Sequence, residues 1–169
     1  MSSPEVELAK NTIEKYVKSG NKISIPDNIP DEMKEKAGVF VSIKKHGELR
    51  GCIGTFIGTR NNIAEEIIEN AIAASTQDPR FSPVKPFELA DLEISVDVLT
   101  APEQVESTKD LDAKKYGVII KSGTRKGLLL PDLEGVTTPQ QQIAICRQKA
   151  CIGDKELVEL YRFSVRRFH

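Results

Sequence analysis

At 169 residues, 39% hydrophobic and 29% charged, the chain has the length and composition of a globular protein that buries a core without disulfides or structural metal. Its 24 basic and 25 acidic side chains give a formal charge of −1, so it has no general attraction to nucleic acid or to an anionic membrane. Its three cysteines are an odd number, no signal-peptide pattern opens the chain, and no run reaches the roughly 18 to 20 apolar residues of a membrane helix. We therefore expect a cytoplasmic protein of one domain over residues 1–169, either a single body or two lobes.

The first third of the chain predicts a helix followed by a hairpin. Apolar residues recur at three- and four-residue steps over about 5–18, which is the helical period, and the proline-containing stretch 21–36 predicts an irregular connection. Two β-rich runs, 39–43 and 49–57, flank the polar turn 45–48. The glycine of this turn suits the positive φ that a tight hairpin needs, so we expect two antiparallel strands here.

A second helix and a rigid loop are predicted next. The stripe of apolar residues over 63–76 predicts a helix, which Asn61 or Asn62 caps and which ends at Asp78-Pro79. Prolines recur in the segment 79–87. Because proline fixes φ and lacks a donor, we expect this segment to cross the surface as a fixed, extended loop.

The second half of the chain is richer in strands. Apolar and polar residues alternate over 92–99, which is the period of a half-buried strand. Two more strands, a helix capped by Thr138 and a final strand are predicted at 116–121, 127–130, 139–150 and 158–168. Because strands follow one another in pairs more often than they alternate with helices, this order predicts an α+β fold, a mostly antiparallel sheet with packed helices.

Familiar catalytic and metal-binding motifs are missing from the sequence. The glycines do not have the spacing of a phosphate loop, and only two histidines occur. Neither a Cys-x-x-Cys pair nor a Gly-x-Ser-x-Gly elbow is present. We expect Cys146 and Cys151 to be small buried apolar residues, and we predict neither a metal site nor a cofactor.

The most unusual stretch is the strand 49–56, because two glycines inside a strand usually mark a bulge or a close approach of backbone. With regular pleating, Arg50, Cys52 and Gly54 share one face, on which residues two apart lie about 6.5–7 Å apart. One interpretation is a reactive Cys52, a nucleophile or metal ligand, whose thiolate Arg50 favours and beside which Gly54 leaves space. The other is that Cys52 packs as a small apolar residue while Arg50 pairs with a carboxylate such as Asp97.

The loop Asp78–Pro83 is the second candidate site. A rigid loop that presents Asp78 and Arg80 could hold an anionic ligand beside the Cys52 strand. In the structural interpretation Phe81 anchors the loop in the core, while Asp78 caps the preceding helix and pairs with Arg80.

These segments resemble a known family. Gly38-Val39-Phe40-Val41, Leu49-Arg50-Gly51-Cys52-Ile53-Gly54 and Asp78-Pro79-Arg80-Phe81-Ser82-Pro83 are similar to the signature segments of the AMMECR-domain family, named for the Alport syndrome, midface hypoplasia and elliptocytosis chromosomal region. The similarity continues through most of the chain to the final strand. It weakens in the loop 132–138, where Asp132-Leu133-Glu134-Gly135 replaces a more usual valine-rich segment.

The resemblance implies an α+β fold with a larger and a smaller lobe and with the cysteine strand near a cleft between them. It implies no established activity. Members of the family in prokaryotes tend to occur beside, or fused to, a Memo-like protein and a radical S-adenosylmethionine protein, so a place in a shared modification pathway is a hypothesis by association.

Three functions compete on this basis. The first is an enzyme or redox-active protein in which Cys52 is the reactive group and Arg50 its electrostatic partner, acting on a small anionic or amide substrate. Its substrate-binding candidates are Gly51, Gly54, Asp78 and Arg80. The second is a non-catalytic adaptor that binds a partner protein, such as the Memo-like or radical-enzyme neighbour, through the smaller lobe. Nucleic-acid binding ranks last, and the reaction, substrate, partner and oligomeric state stay open.

Overall fold

The computed structural model describes residues 2–169, which form two compact units. One unit extends to Leu99 and takes in Arg166–His169, and the other is Thr100–Val165. Each unit contains a four-stranded antiparallel sheet, with two helices packed on the first sheet and one on the second, which confirms the predicted α+β class. None of the helices in residues 2–169 has both the length and the apolar character needed to span a bilayer.

The elements in chain order follow the predicted sequence closely. The helices are α1 Pro4–Ser19, α2 Ile63–Thr76 and α3 Pro139–Lys149, and the strands are β1 Val39–Lys45, β2 Glu48–Gly54, β3 Leu92–Leu99, β4 Glu103–Val105, β5 Gly117–Ser122, β6 Arg125–Leu129, β7 Glu159–Phe163 and β8 Val165–Phe168. Short 3₁₀ helices occupy Asp31–Lys34, Pro86–Asp91 and Thr108–Asp110.

The first unit has two helices on one face of the sheet β2-β1-β3-β8. Helix α2 packs on β1 and β2, and α1 lies beside it on β3. Asn62 caps α2 by accepting a hydrogen bond from the main-chain N–H of Glu65, 2.9 Å away. Alternation along β1 then buries Val39, Val41 and Ile43 beneath the helices, which is the pattern expected of a strand with one covered face.

A buried acid of α2 holds the segment that follows β2. The side chain of Glu66 is nearly inaccessible to solvent, at 1% exposure. Its carboxylate accepts hydrogen bonds from the hydroxyl of Thr55 (2.9 Å), the hydroxyl of Thr59 (3.0 Å) and the main-chain N–H of Arg60 (2.7 Å). These bonds satisfy the buried charge and fix the loop between β2 and α2.

The second unit has one helix on its sheet, which runs in the order β4-β7-β5-β6. Helix α3 packs on β5 and β6 and begins at the predicted cap, Thr138, whose hydroxyl accepts from the main-chain N–H of Gln141. At the other end Cys151 has φ 56°, and the next N–H, of Ile152, donates to the carbonyl of Arg147. A left-handed residue of this kind commonly ends a helix, although glycine is the usual occupant.

Glycines bring a helix close to the sheet in both units. A Cβ atom on Gly51 of β2 would lie 2.2 Å from the carbonyl oxygen of Ala74 in α2, and one on Gly127 of β6 would lie 2.2 Å from the carbonyl oxygen of Cys146 in α3. Both distances are far below an ordinary contact. The helix backbones therefore lie directly on glycine Cα atoms.

A phenylalanine ring covers a further glycine on the opposite face of each sheet. A Cβ atom on Gly54 would lie 2.2 Å from the ring of Phe40 on β1, and one on Gly117 would lie 2.2 Å from the ring of Phe163 on β7. The phenylalanine ring of the neighbouring strand thus packs in the space that a side chain would occupy if the glycine had one.

Three expectations from the sequence are corrected here. The single final strand predicted over 158–168 is wrong, because the chain leaves β7 at Ser164 and enters the other sheet as β8. Cys151 is exposed rather than buried, whereas Cys146 is buried as expected, and burial raises the pKa of its thiol to about 12. The short strand β4 lies in a stretch for which the pattern predicted no element.

Candidate functional site

The pairing of β1 with β2 places Cys52 opposite Ser42. The two-residue turn His46-Gly47 joins Lys45 to Glu48, and the register then shifts by one residue between Ile43 and Lys44. Arg50 is the extra residue of β2 and stands opposite no residue of β1. This irregularity is a β-bulge, a feature that redirects a side chain and changes the register beyond it.

Three small polar side chains form a row across the first sheet. Ser42 lies opposite Cys52 on β2 and opposite Ser95 on β3. All three lie on the face away from the buried residues of β1, which we call the outer face. The Sγ of Cys52 is 3.3 Å from the Oγ of Ser42, and the cysteine is half-buried. Such a short distance is typical of a pair whose main-chain groups point away from each other.

The loop after α2 holds the main chain of Cys52. The carboxylate of Asp78 accepts a hydrogen bond from the N–H of Cys52 at 3.0 Å, and the guanidinium of Arg80 donates to the carbonyl of Cys52 at 3.3 Å. Asp78 is buried and also accepts from the Nε and Nη2 of Arg80, at 3.1 and 2.8 Å. Chiefly because of Arg80, the pKa of Asp78 is lowered to about 2. The predicted pairing of Asp78 with Arg80 is present, but Asp78 does not cap α2, since Gln77 has that position.

Arg80, which binds the carbonyl of Cys52, is a partly exposed cation. Its side chain is 53% exposed and lies 5.4 Å from the ring centroid of Phe81. The pKa of Arg80 is raised, mainly by its hydrogen bond with Asp78 and to a smaller extent by the charge of Cys52.

Arg50 has a different set of contacts. Its Nε and Nη2 donate to the two carboxylate oxygens of Glu88, each at 3.0 Å, and its Nη1 donates to the carbonyl of Ser82 at 2.8 Å. Lys45 also pairs with Glu88, at 3.0 Å, and the pKa of Glu88 is lowered to about 2, chiefly by Arg50. Arg50 therefore fastens the loop and the 3₁₀ helix Pro86–Asp91 to the edge of the sheet.

The predicted pairing of Arg50 with a carboxylate is confirmed, but the partner is Glu88 and not Asp97. Asp97 is paired instead with Arg167 of β8, whose Nε lies 2.8 Å from one carboxylate oxygen. The open space expected beside Cys52 is also absent at Gly54, because the ring of Phe40 fills it. Gly51 packs against α2 on the opposite face of the strand. Of the six candidate residues, the structure brings together Cys52, Asp78 and Arg80.

Sequence reasoning missed Ser42, Ser95 and Glu88 as parts of this site. The alternation of residues 92–99 placed Ser95 on the polar face of its strand. Pairing the residues of β1 and β2 one by one outward from the turn would have placed Ser42 within one residue of Cys52. The bulge at Arg50 hid the pairing, because counting without it sets Ser42 opposite Gly51. No local signal marked Glu88 as the partner of Arg50.

The two acids of the site limit its proton chemistry. With pKa values of about 2, Asp78 and Glu88 are ionised at neutral pH and hold no proton to donate. His46 is in the β1–β2 turn, with its Nε2 3.9 Å from Asp91. Within residues 2–169, no three histidine, cysteine or acidic side chains are arranged so that they could hold a metal ion.

Comparison with known proteins gives one family and several relatives. Residues 6–168 match the model of the AMMECR1 family. A protein from Thermotoga maritima is 51% identical over 168 residues, covering 98% of this chain and 97% of that protein. A protein from Clostridium acetobutylicum is 50% identical over 97% of this chain, which spans only 35% of that longer protein. The crystal structure of an uncharacterized protein from Pyrococcus horikoshii superposes with a TM-score of 0.89 at 33% identity, over 96% of this chain and 88% of that one.

Proposed function

The chain belongs to the AMMECR1 family, whose relatives reported above are uncharacterised, and on that premise we propose that it is an enzyme with Cys52 as its nucleophile. One observation carries the proposal: each polar group of Cys52 has its own partner. Its N–H binds Asp78, its carbonyl binds Arg80 and its thiol contacts Ser42. The main-chain groups of any residue need partners, but here the loop after α2 supplies both partners and so holds the thiol in a fixed position, which a nucleophile needs.

Arg80 supplies the electrostatic part of this function. Half of its side chain is exposed, so the guanidinium can meet a ligand on the outer face while Asp78 holds it in place. A cation beside a thiol favours the thiolate, which is the reactive form. Asp78 and Arg50 act at a distance from the ligand, as positioning residues that fix Arg80 and the loop.

The proton chemistry favours an anionic substrate over an amide. The thiol of Cys52 first loses its proton to water. Its thiolate then forms a bond to an electrophilic carbon as the bond between that carbon and the leaving group breaks, and the leaving group departs with the bonding pair. Water then displaces the sulfur from the carbon and restores the thiol. An amide leaving group must be protonated as it departs. Asp78 and Glu88 carry no proton at neutral pH, so we propose a small anion whose leaving group is stable without one.

A reducing cytoplasm suits this function. A nucleophilic thiol must stay reduced, and none of the three cysteines of the chain forms a disulfide. The cytoplasmic location is thus part of the same proposal.

The test is the rate of alkylation of each cysteine by iodoacetamide against pH, measured by peptide mass spectrometry on the native protein. Cys146, buried and with its pKa raised to about 12, provides the slow reference, and the exposed Cys151 provides the reference for an accessible thiol. We expect half-buried Cys52 to react faster than Cys151 at pH 7. Without activation it would react more slowly, because access is poorer.

Two matched variants assign the effect to Arg80. Arg80→Ala removes the cation beside Cys52, and Arg125→Ala removes an arginine of the other unit that is likewise paired with a carboxylate. We expect the first variant to slow the alkylation of Cys52 and the second to leave it unchanged. Equal rates at Cys52 and Cys151 in the unmodified protein, or no response of Cys52 to Arg80→Ala, would refute the proposal.

A further inference from the structure

The side chain of Ser42 is in direct contact with the sulfur of Cys52. Its Oγ lies 3.3 Å from the Sγ, and this hydroxyl forms no other hydrogen bond with residues 2–169. A thiolate has no proton and can only accept, so ionisation of Cys52 fixes the direction of the bond, from the serine to the sulfur. A hydrogen bond to an ionised group is roughly twice as strong as one between neutral groups. The contact therefore favours the thiolate over the thiol.

The sheet holds Ser42 in place for this contact. Strand β1 lies between β2 and β3, and Ser42 is paired with Cys52 on one side and with Ser95 on the other. A residue of an antiparallel strand directs both of its main-chain groups to the same side. At Ser42 the short distance to Cys52 indicates that this side is β3. The hydroxyl is thus attached to the backbone of a central strand, which fixes its position before the sulfur ionises.

The charged groups around this face occur in pairs of opposite sign. The acids have the following cations as partners or as cross-strand neighbours: Asp78 has Arg80, Asp97 has Arg167, Glu88 has Arg50 and Lys45, and Glu93 has Lys44. Part of the charge of Arg80 therefore offsets that of Asp78, because opposite charges close together cancel at a distance. Both of these side chains bind the main chain of Cys52, whereas Ser42 contacts the sulfur itself.

We propose that Ser42 is a positioning residue of this site, the hydrogen-bond donor that stabilises the thiolate of Cys52; the inference rests on the proposed role of Cys52 as nucleophile. The bond acts in both steps of that reaction. In the first step it raises the fraction of Cys52 that is ionised. In the second step the sulfur leaves the carbon as a thiolate with the bonding pair, accepts from Ser42 again, and takes up the proton that the attacking water releases. The serine keeps its own proton throughout.

The test is the pH profile of the alkylation of Cys52 by iodoacetamide in the full-length protein, measured by peptide mass spectrometry. Ser42→Ala removes the hydroxyl. Ser42→Thr and Ser42→Val form a matched pair, because threonine and valine are both β-branched and suit a strand, but only threonine has a hydroxyl.

The variants without a hydroxyl should need a higher pH to react. In Ser42→Ala and Ser42→Val we expect the apparent pKa of Cys52 to rise by about one unit and the rate at pH 7 to fall about fivefold or more. Above the apparent pKa values of parent and variant, the difference in rate should disappear or reverse, because a more basic thiolate is the stronger nucleophile. A change that only disturbed packing would alter the rate at every pH.

Two variants should keep the profile of the parent protein. Ser42→Thr retains the hydroxyl, and the control Ser95→Ala removes a hydroxyl that is opposite Ser42 rather than Cys52. The inference would be overturned if Ser42→Ala and Ser42→Val had the parent profile. It would also be overturned if Ser42→Thr shifted as much as Ser42→Val, or Ser95→Ala as much as Ser42→Ala.

The same experiment separates this inference from the proposed function. If Cys52 of the parent reacts faster than Cys151 but does not respond to the loss of the hydroxyl at Ser42, the proposed function stands and the inference alone fails. If Cys52 of the parent reacts no faster than Cys151, the proposed function fails and the inference fails with it.

Discussion

Acid should weaken the first unit through Glu88, the residue that joins Arg50 and Lys45 to the loop. The pKa of Glu88 is lowered from 4.5 to about 2 in the folded chain. A lowered pKa means that the unfolded chain binds the proton more readily. The stabilisation is therefore complete above pH 4.5 and is lost as the pH falls through about 2.

The size of the effect follows from the same shift. One pKa unit is worth about 1.4 kcal/mol, so Glu88 contributes at most about 3 kcal/mol. Its partners Arg50 and Lys45 are 14% and 27% exposed, and screening of the exposed parts lowers this to about 2 kcal/mol. Glu88→Gln keeps the shape of the side chain without its charge. Between pH 6 and pH 2, the free energy of unfolding of this variant should therefore fall by about 2 kcal/mol less than that of the parent protein.

The assay is urea unfolding followed by far-UV circular dichroism at pH 6, 4, 3 and 2, with amide exchange at Cys52 to assign the loss to the first unit. The matched control is Glu156→Gln, because Glu156 also forms an ion pair with an arginine, Arg125, but is exposed. We expect the free energy of unfolding of this control to fall in acid by as much as that of the parent protein. The reasoning would be wrong if acid destabilised Glu88→Gln as much as the parent protein. It would also be wrong if Glu156→Gln reduced the acid destabilisation as much as Glu88→Gln does.

Four further substitutions test the packing, the backbone and the buried hydrogen bonds. Gly51→Ala should destabilise the chain by about 1–3 kcal/mol in urea unfolding, because its Cβ would meet the Ala74 carbonyl at 2.2 Å and α2 would have to move. Gly54→Ala should destabilise the chain less, because its Cβ would meet a side chain, the ring of Phe40, rather than main chain. Cys151→Gly should raise the free energy of unfolding by up to about 1 kcal/mol, since glycine adopts a φ of 56° without strain; a loss of stability would contradict this. Glu66→Gln should cost about 1–3 kcal/mol, because its amide leaves buried donors without an acceptor; an unchanged unfolding midpoint would argue against that account.

Local pattern was sufficient to predict the helices and most strands. The apolar stripe of α2 and the caps Asn62 and Thr138 depend on residues within one or two turns of each other, so they can be read along the chain. The final strand was different, because its alternation continues through residues that belong to two sheets. Alternation of apolar and polar residues indicates that a segment is a strand, but it does not indicate which other strand this strand pairs with.

The candidate site could be predicted only in part for the same reason. The pairing of Asp78 with Arg80 is a contact two residues apart, and the sequence predicted it. The partner of Arg50 is 38 residues away, and the ring that fills the space at Gly54 belongs to the neighbouring strand. Both contacts follow from the register of the hairpin and the path of the loop, which depend on the folded chain as a whole.

The contacts at Cys52 have a second consequence, for self-association. Strand β2 is at an edge of its sheet, and an edge strand offers main-chain N–H and C=O groups to any other extended chain. At Cys52 both groups are already occupied, by Asp78 and Arg80. The two side chains take the place of a neighbouring strand, so they prevent another chain from adding to the sheet at this residue.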